Sequence, residues 1–170
     1  MSDVSFERDI ACERNRIRKL LLNEDFLRAF VEDQHPVDNV IIVEIRESSS
    51  TTDWGVPTED IPDIFRGLVG KTVPISLTIT PPGITPENDG SMHLDLKGKV
   101  SGELRASLDL QPAPEDPVRT IMTVRGPLRI HISVPFLSGT ASKMARDHLI
   151  IPVLDELAVL LEEWSAGTPA

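Results

Sequence analysis

The chain has 170 residues, with 27 Asp and Glu against 17 Lys and Arg, a formal net charge of −10 and 40% hydrophobic residues. That length suits one domain with a sizeable core. The acidic balance argues against nucleic acid, whose phosphates are held by clustered Lys and Arg, and against an anionic membrane surface.

No apolar run approaches the ~20 residues of a membrane-spanning helix, and the start MSDVSFERD has no apolar signal core, so the cytoplasm is the expected location. The single cysteine, Cys12, excludes an internal disulfide and a thiolate zinc site of the usual kind.

The opening VSFERDIAC alternates as a strand, with Val4, Phe6, Ile10 and Cys12 on one side and Arg8 as the exception on that side. Cys12 is then a small core residue. Two short helices follow. Ile17, Leu20 and Leu21 form one stripe. Asn23 caps a second helix whose stripe is Phe26, Leu27, Phe30 and Val31, with Glu24 and Asp25 in the acidic first turn.

VDNVIIVEIRE predicts a strand with Ile41, Val43 and Ile45 in phase, and the polar run SSSTTDWGVP predicts an edge strand or a loop. TEDIPDIFRGLVG has helical spacing over Ile61, Ile64, Phe65, Leu68 and Val69, with Thr58 as its cap and Gly70 as its stop. From Lys71 the period becomes two, with Val73, Ile75, Leu77 and Ile79 on one face. PPGITPENDG is a turn-rich connection.

SMHLDLKGKVSGELRASLDL then keeps one parity throughout, from Met92 to Leu110. After the loop QPAPEDP, Met122, Val124, Gly126, Leu128, Ile130, Ile132 and Val134 do the same. Alternation this clean belongs to an antiparallel sheet with one dry and one wet face. Strands of that length exceed the usual 5–6 residues, so Gly98, Gly102 and Gly126-Pro127 mark bends, bulges or short turns. A sheet with such kinks curls, and its dry concave face needs a cover.

The C-terminal stretch HLIIPVLDELAVLLEEW supplies one. At 100° per residue, Ile150, Val153, Leu154, Leu157, Ala158, Leu161 and Trp164 share a face. Upstream of Pro152 the stripe changes sides. Lys143, Arg146 and Asp147 lie on the later apolar face, while Ala141, Met144, Ala145, His148 and Leu149 lie nearly opposite. Either the helix breaks at Pro152, or its first turns overhang the sheet and present charge to an opening.

This element order resembles the helix-grip fold of the START-like (SRPBCC) superfamily, and most closely an actinobacterial family of unknown function within it. The resemblance rests on VSFERDIACERNRIRKLLLNEDFLRAF, on DIPDIFRGLVG, and on the closing GPLRIHISVPFLSGTASKMARDHLIIPVLDELAVLLEEW. In that last segment Val134-Pro135-Phe136 ends a strand, Gly139 follows, and a helix runs to Trp164. The likeness covers nearly the whole chain. It is a pattern of element order and small motifs without a catalytic signature. The absence of Tyr and the presence of Pro152 depart from the pattern.

The resemblance implies an α+β helix-grip fold: a curved antiparallel sheet of six or seven strands wrapped around a long C-terminal helix, with two short helices after the first strand. Residues 1–165 form a single START-like domain, and 166–170 are a frayed tail. It further implies an apolar small molecule, lipid-like or polyketide-like, held between sheet and helix. The expected cavity lining is Leu94, Leu96, Leu108, Met122, Val124, Ile130, Leu154 and Leu157. Arg8, Lys143 and Arg146 are expected as polar anchors at the mouth, where a helix start favours an anion.

No cofactor, no metal and no catalytic residue is expected. One alternative is a cyclase or dehydratase using the same cavity, which would need an acid–base group inside it. Another is an interaction protein with a filled core, in which exposed Ile151, Val159 and Leu160 would serve a partner such as a second copy in a homodimer.

Other motifs fail on chemistry. GLVGKT at 67–72 ends like a phosphate-binding loop, but the pattern needs Gly where Phe65 stands, and a helix rather than a strand precedes it. There is no G-x-S-x-G nucleophile turn. His93, Asp95 and His131 all fall on the wet sheet face, where solvated side chains are the plain expectation.

Overall fold

The computed structural model describes residues 2–34, 41–58, 62–63, 66–67, 70–83, 90–98, 100–132 and 138–167. β1 (Ser2–Ile10) leads into α1 (Arg14–Leu20) and α2 (Glu24–Gln34). Six strands follow: β2 (Ile42–Ile45), β3 (Ser50–Pro57), β4 (Thr72–Thr80), β5 (Gly90–Lys97), β6 (Ser101–Ala113) and β7 (Asp116–His131). The chain closes with α3 (Ser138–Ala145), a π turn (Arg146–Ile150) and α4 (Ile151–Gly167). α4 thus runs two residues into the stretch expected to fray. Among the described residues, no helix is long and apolar enough to cross a membrane.

The seven strands form one antiparallel sheet in the order β1-β7-β6-β5-β4-β3-β2. β1 closes the side opposite β2 because the β6–β7 hairpin returns the chain to it, with Phe6 opposite Val124. Period-two burial runs through every long strand. Val73, Ile75, Leu77 and Ile79 on β4, Met92, Leu94 and Leu96 on β5, Leu104, Ala106, Leu108 and Leu110 on β6, and Met122, Val124, Leu128 and Ile130 on β7 are all buried on the concave side.

The single parity of 91–110 survives from β5 to β6 because Leu96 pairs with Gly102 and Lys97 with Ser101. The β7 backbone at Gly126 lies hard against β6. A Cβ there would lie 2.1 Å from the Arg105 carbonyl oxygen and 2.6 Å from the Ala106 Cα, so only glycine admits that approach.

Several expectations need correcting. SSSTTDWGVP is neither edge nor loop: β3 lies between β2 and β4 and alternates in burial, with Ser50, Thr52, Trp54 and Val56 inward. Its polar inward residues are accommodated locally, since Ser50 Oγ donates to the Leu21 carbonyl at 2.8 Å. The edge on this side of the sheet is β2, where Ile45 is 39% exposed despite its phase. QPAPEDP is not a long loop. β6 continues to Ala113, a two-residue turn follows, and an irregularity at Pro112/Ala113 absorbs the mismatch.

The helical reading of Ile61, Ile64, Phe65, Leu68 and Val69 falls outside the described residues. Around them, Arg66 N–H donates to Pro62 O at 3.1 Å and Gly70 N–H to Arg66 O at 2.9 Å, both at helical spacing, and Gly70 has φ 84°. The Thr58 hydroxyl reaches the Gly70 carbonyl at 2.5 Å, so it ties the two ends of this segment together.

The helices sit as the stripes require. Ile17, Leu20, Leu21, Phe26, Leu27, Phe30 and Val31 are all buried. Asn23 caps α2, its Oδ1 accepting from Phe26 N–H at 3.0 Å.

Candidate functional site

The site is built by two apolar surfaces that face each other. One is the concave sheet. The other is the inner face of α3, the π turn and α4, carrying Ala141, Leu149, Ile150, Val153, Leu154, Leu157, Ala158, Leu160 and Leu161.

The change of phase before Pro152 is resolved by neither of the expected outcomes. The helix does not break, and its charges do not turn inward. The Ile151 N–H donates to the Arg146 carbonyl, five residues back, so the turn is widened. A residue in such a turn advances by less than 100°, and five of them rotate the upstream stripe by roughly a quarter turn. Ala141, Ser142 and Leu149 therefore come round onto the face of Val153 and Leu157 and are buried, while Lys143, Asp147 and His148 are exposed. Pro152 has no N–H for an α-type bond to His148 O, and the widened turn removes the demand for one.

All eight residues expected to line a cavity are buried on this interior. Leu94, Met122, Val124, Leu154 and Leu157 are 0% exposed, so protein atoms pack them on every side. Leu96 and Ile130 keep 5% and 7%, as does Val56 with 8%. These three lie near the same end of the sheet, where β3, β5 and β7 finish. Phe6 and Ala106, in the middle of β1 and β6, keep 7% each.

The three expected anchors have separate fates. Arg8 ion-pairs with Asp155 of α4, both half-exposed, which explains its break of parity at the β1–helix seam. Arg146 Nε donates to Asp147 Oδ1 at 2.8 Å, and this bond and charge hold the Asp147 carboxyl below its ordinary range. Lys143 is exposed on α3. The structure does not bring the three together as a cluster with mutual contacts.

Among the described residues, the buried polar side chains are Ser50, Thr52, Thr58, Ser76, Thr120 and Ser142, with no carboxylate or imidazole. Cys12 is 2% exposed. Burial pushes its thiol up from the ordinary range despite a hydrogen bond with Ser165 and the nearby Arg16, which fits a core residue rather than a nucleophile.

The wet face holds a group that the sequence reading took apart. His93 and Asp95 do converge, Glu103 joins them, and His131 is not among them. Glu103 was missed because its place depends on strand register. The signal was Gly98: a hairpin centred beside it sets position 95 opposite position 103.

Comparison with known proteins fixes the lineage. A family described as a protein of unknown function, DUF2505, matches residues 5–164. The chain belongs to this family. A search of curated proteins gives no match. Among solved structures, a protein of Thermus thermophilus is similar at 12% identity, with a TM-score of 0.62, over 96% of this chain and 99% of that one. The Zhui aromatase/cyclase from Streptomyces sp. R1128 is similar at 12% identity and a TM-score of 0.53, over 99% of each chain. Norcoclaurine synthase from Thalictrum flavum follows at 11% identity and a TM-score of 0.58, over 98% of this chain and 87% of that one. At these identities the likeness establishes the fold. It is the helix-grip fold, with a curved seven-stranded antiparallel sheet and a long C-terminal helix.

Proposed function

We propose that this DUF2505 member, as part of a bacterial, actinobacterial line of START-like proteins, binds an apolar small molecule of lipid-like or polyketide-like type between the concave sheet and the C-terminal helix. The observation that carries the reading is the mainly apolar lining of both surfaces, interrupted by the small hydroxyls of Ser50, Thr52 and Ser142, which meet without one buried carboxylate or imidazole among the described residues. The ligand enters at the mouth beside Leu96 and Ile130 and extends toward Leu94, Leu108, Met122, Val124, Leu154 and Leu157.

Because several of these are sealed, the ligand must open the site. Met122 is the adaptable element, an unbranched thioether that repacks at low cost. Arg8, Lys143 and Arg146 stand as headgroup contacts only where they are released from Asp155 and Asp147. The same lack of an interior acid–base group ranks a cyclase or dehydratase behind simple binding. A partner surface built on Ile151, Val159 and Leu160 is weakened because Leu160 is buried at 6% exposure.

Native mass spectrometry of protein purified from its own host tests the reading. A co-purifying apolar molecule of one mass, displaced or excluded in an Ile130→Trp variant that still folds, is the expected result. Ligand-free protein that also fails to bind a fluorescent fatty-acid probe overturns it.

A further inference from the structure

We infer that the convex face of the sheet holds a divalent first-row transition-metal ion of the zinc class, ligated by His93 Nε2 and by one carboxylate oxygen each from Asp95 and Glu103. The site is separate from the apolar interior and does not depend on the reading above.

Strand register creates the problem that such an ion solves. Asp95 lies directly opposite Glu103 on β5 and β6, and like charges in that position destabilise a strand pair. The row extends through Ser76 to Asp53, whose Oδ1 is sealed from solvent with no hydrogen-bond partner among the described residues. A chain of net charge −10 offers little relief at long range.

His93 stands two residues before Asp95 on the same face. Its Nε2 lies 3.3 Å from Asp95 Oδ1 and 3.6 Å from Glu103 Oε2. Neither contact has hydrogen-bond geometry, and Nε2 is sealed from solvent with no hydrogen-bond partner among the described residues. A ring nitrogen within 3.6 Å of two carboxylate oxygens, yet hydrogen-bonded to neither, keeps its electron pair available to an ion. A proton needs an acceptor along one N–H direction, whereas an ion needs three donors around a centre.

The lengths agree. Tetrahedral zinc with bonds of about 2.0–2.1 Å has donor atoms roughly 3.3–3.4 Å apart. Two of the three separations here are within a few tenths of an ångström of that, and all three donor atoms lie within 4.8 Å of one another. The Asp95 and Glu103 side chains are 42% and 33% exposed, so water can complete the set from the carboxylate side. Two guanidinium groups compete for Glu103. Arg129 lies directly opposite it on β7, and Arg105 Nε is 3.4 Å from its Oε2 on a side chain 71% exposed and free to swing away; neither lies across from Asp95. One mixed set of imidazole and carboxylate oxygen suits zinc, cobalt or nickel over calcium or magnesium. Bound there, the ion would brace the β5–β6 hairpin one residue from Leu96 and Gly102.

The competing chemistry is a protonated His93 that serves as the cation itself, and isothermal titration of the full chain with zinc chloride, alongside cobalt absorption, separates the two. One ion per chain is expected, with a tetrahedral cobalt spectrum and a rise in melting temperature on adding zinc. His93→Ala, Asp95→Asn and Glu103→Gln should each weaken binding about tenfold or more and abolish the rise, while His148→Ala leaves both unchanged. Circular dichroism verifies folding. If His93→Ala fails to fold, Glu103→Gln, which removes only charge, decides. No zinc binding in the wild type, or binding that survives both His93→Ala and Glu103→Gln, overturns the site.

Discussion

The two ends of the C-terminal helix are held in different ways. At its far end α4 is fastened from outside. Ala11 N–H donates to Glu162 Oε1 at 3.0 Å, Arg16 reaches the Trp164 carbonyl at 3.3 Å, and the Trp164 ring meets the edge of Phe26 with centroids 5.5 Å apart. Beside it, Arg14 and Arg18 on α1 clasp the carbonyls of Leu110, Gly83 and Pro82. At the near end the helix widens into the π turn, Arg146 bonds to its own neighbour Asp147, and the strands beneath keep residual exposure at Val56, Leu96 and Ile130. The difference is one of kind. The far end is held by hydrogen bonds and a ring contact. The near end is held by the burial of Ala141, Ser142, Leu149 and Ile150 around a turn already short of α-type hydrogen bonds, which is where the proposed ligand would be admitted.

The harshest way to break this arrangement is to force apart β6 and β7 in the sheet beneath the helix. Gly126→Ala drives a methyl into the Arg105 carbonyl, a backbone atom that cannot rotate away. The β6–β7 pair must shift, and the expected loss is about 4 kcal/mol or more of folding stability, read by urea unfolding. A loss below about 1 kcal/mol would show that the two strands do not need their close approach there.

A sharper test compares the ends directly. Leu157→Ala removes a fully sealed side chain in the fastened half and should cost about 3 kcal/mol. Ile130→Ala at the mouth should cost about 1–2 kcal/mol, because its surroundings are already partly open and can relax. Paired denaturant melts with equal slopes check this. Equal costs at the two positions would mean that the interior is uniformly packed and the mouth is not a weak point.

How much of this was readable before folding follows from what each pattern encodes. Period-two runs report which face is dry, and they placed the inward residues of β4 to β7, as the helical wheel placed Leu154 and Leu157, on the buried side; Leu94, Met122 and Leu157 are all sealed. Composition misled at β3, where Ser50 and Thr52 point inward. Their hydroxyls are tolerated because a carbonyl such as that of Leu21 waits for one of them, a fact no local pattern carries. The π turn was visible as its symptom, a stripe that jumps phase just before a proline, but an ideal 100° wheel has no place for the cause. His93, Asp95 and Glu103 show the same limit. Parity put each on the wet face, and only the register of the β5–β6 hairpin brought the third to the other two.

The smallest effect tests the seam along which α4 would have to pivot. Arg8 and Asp155 join β1 to α4, with side chains 39% and 51% exposed. At that exposure solvent screens the pair, so a double-mutant cycle of Arg8→Ala and Asp155→Ala should give a coupling of about 0.2–1 kcal/mol, reduced in concentrated salt. Such a value leaves the hold on α4 to Leu154, Leu157 and the bonds at its far end, as the comparison requires. A coupling above about 2 kcal/mol would instead make the seam an electrostatic latch. The helix would then be fastened midway along its length, and the yielding segment would shrink to the π turn and α3.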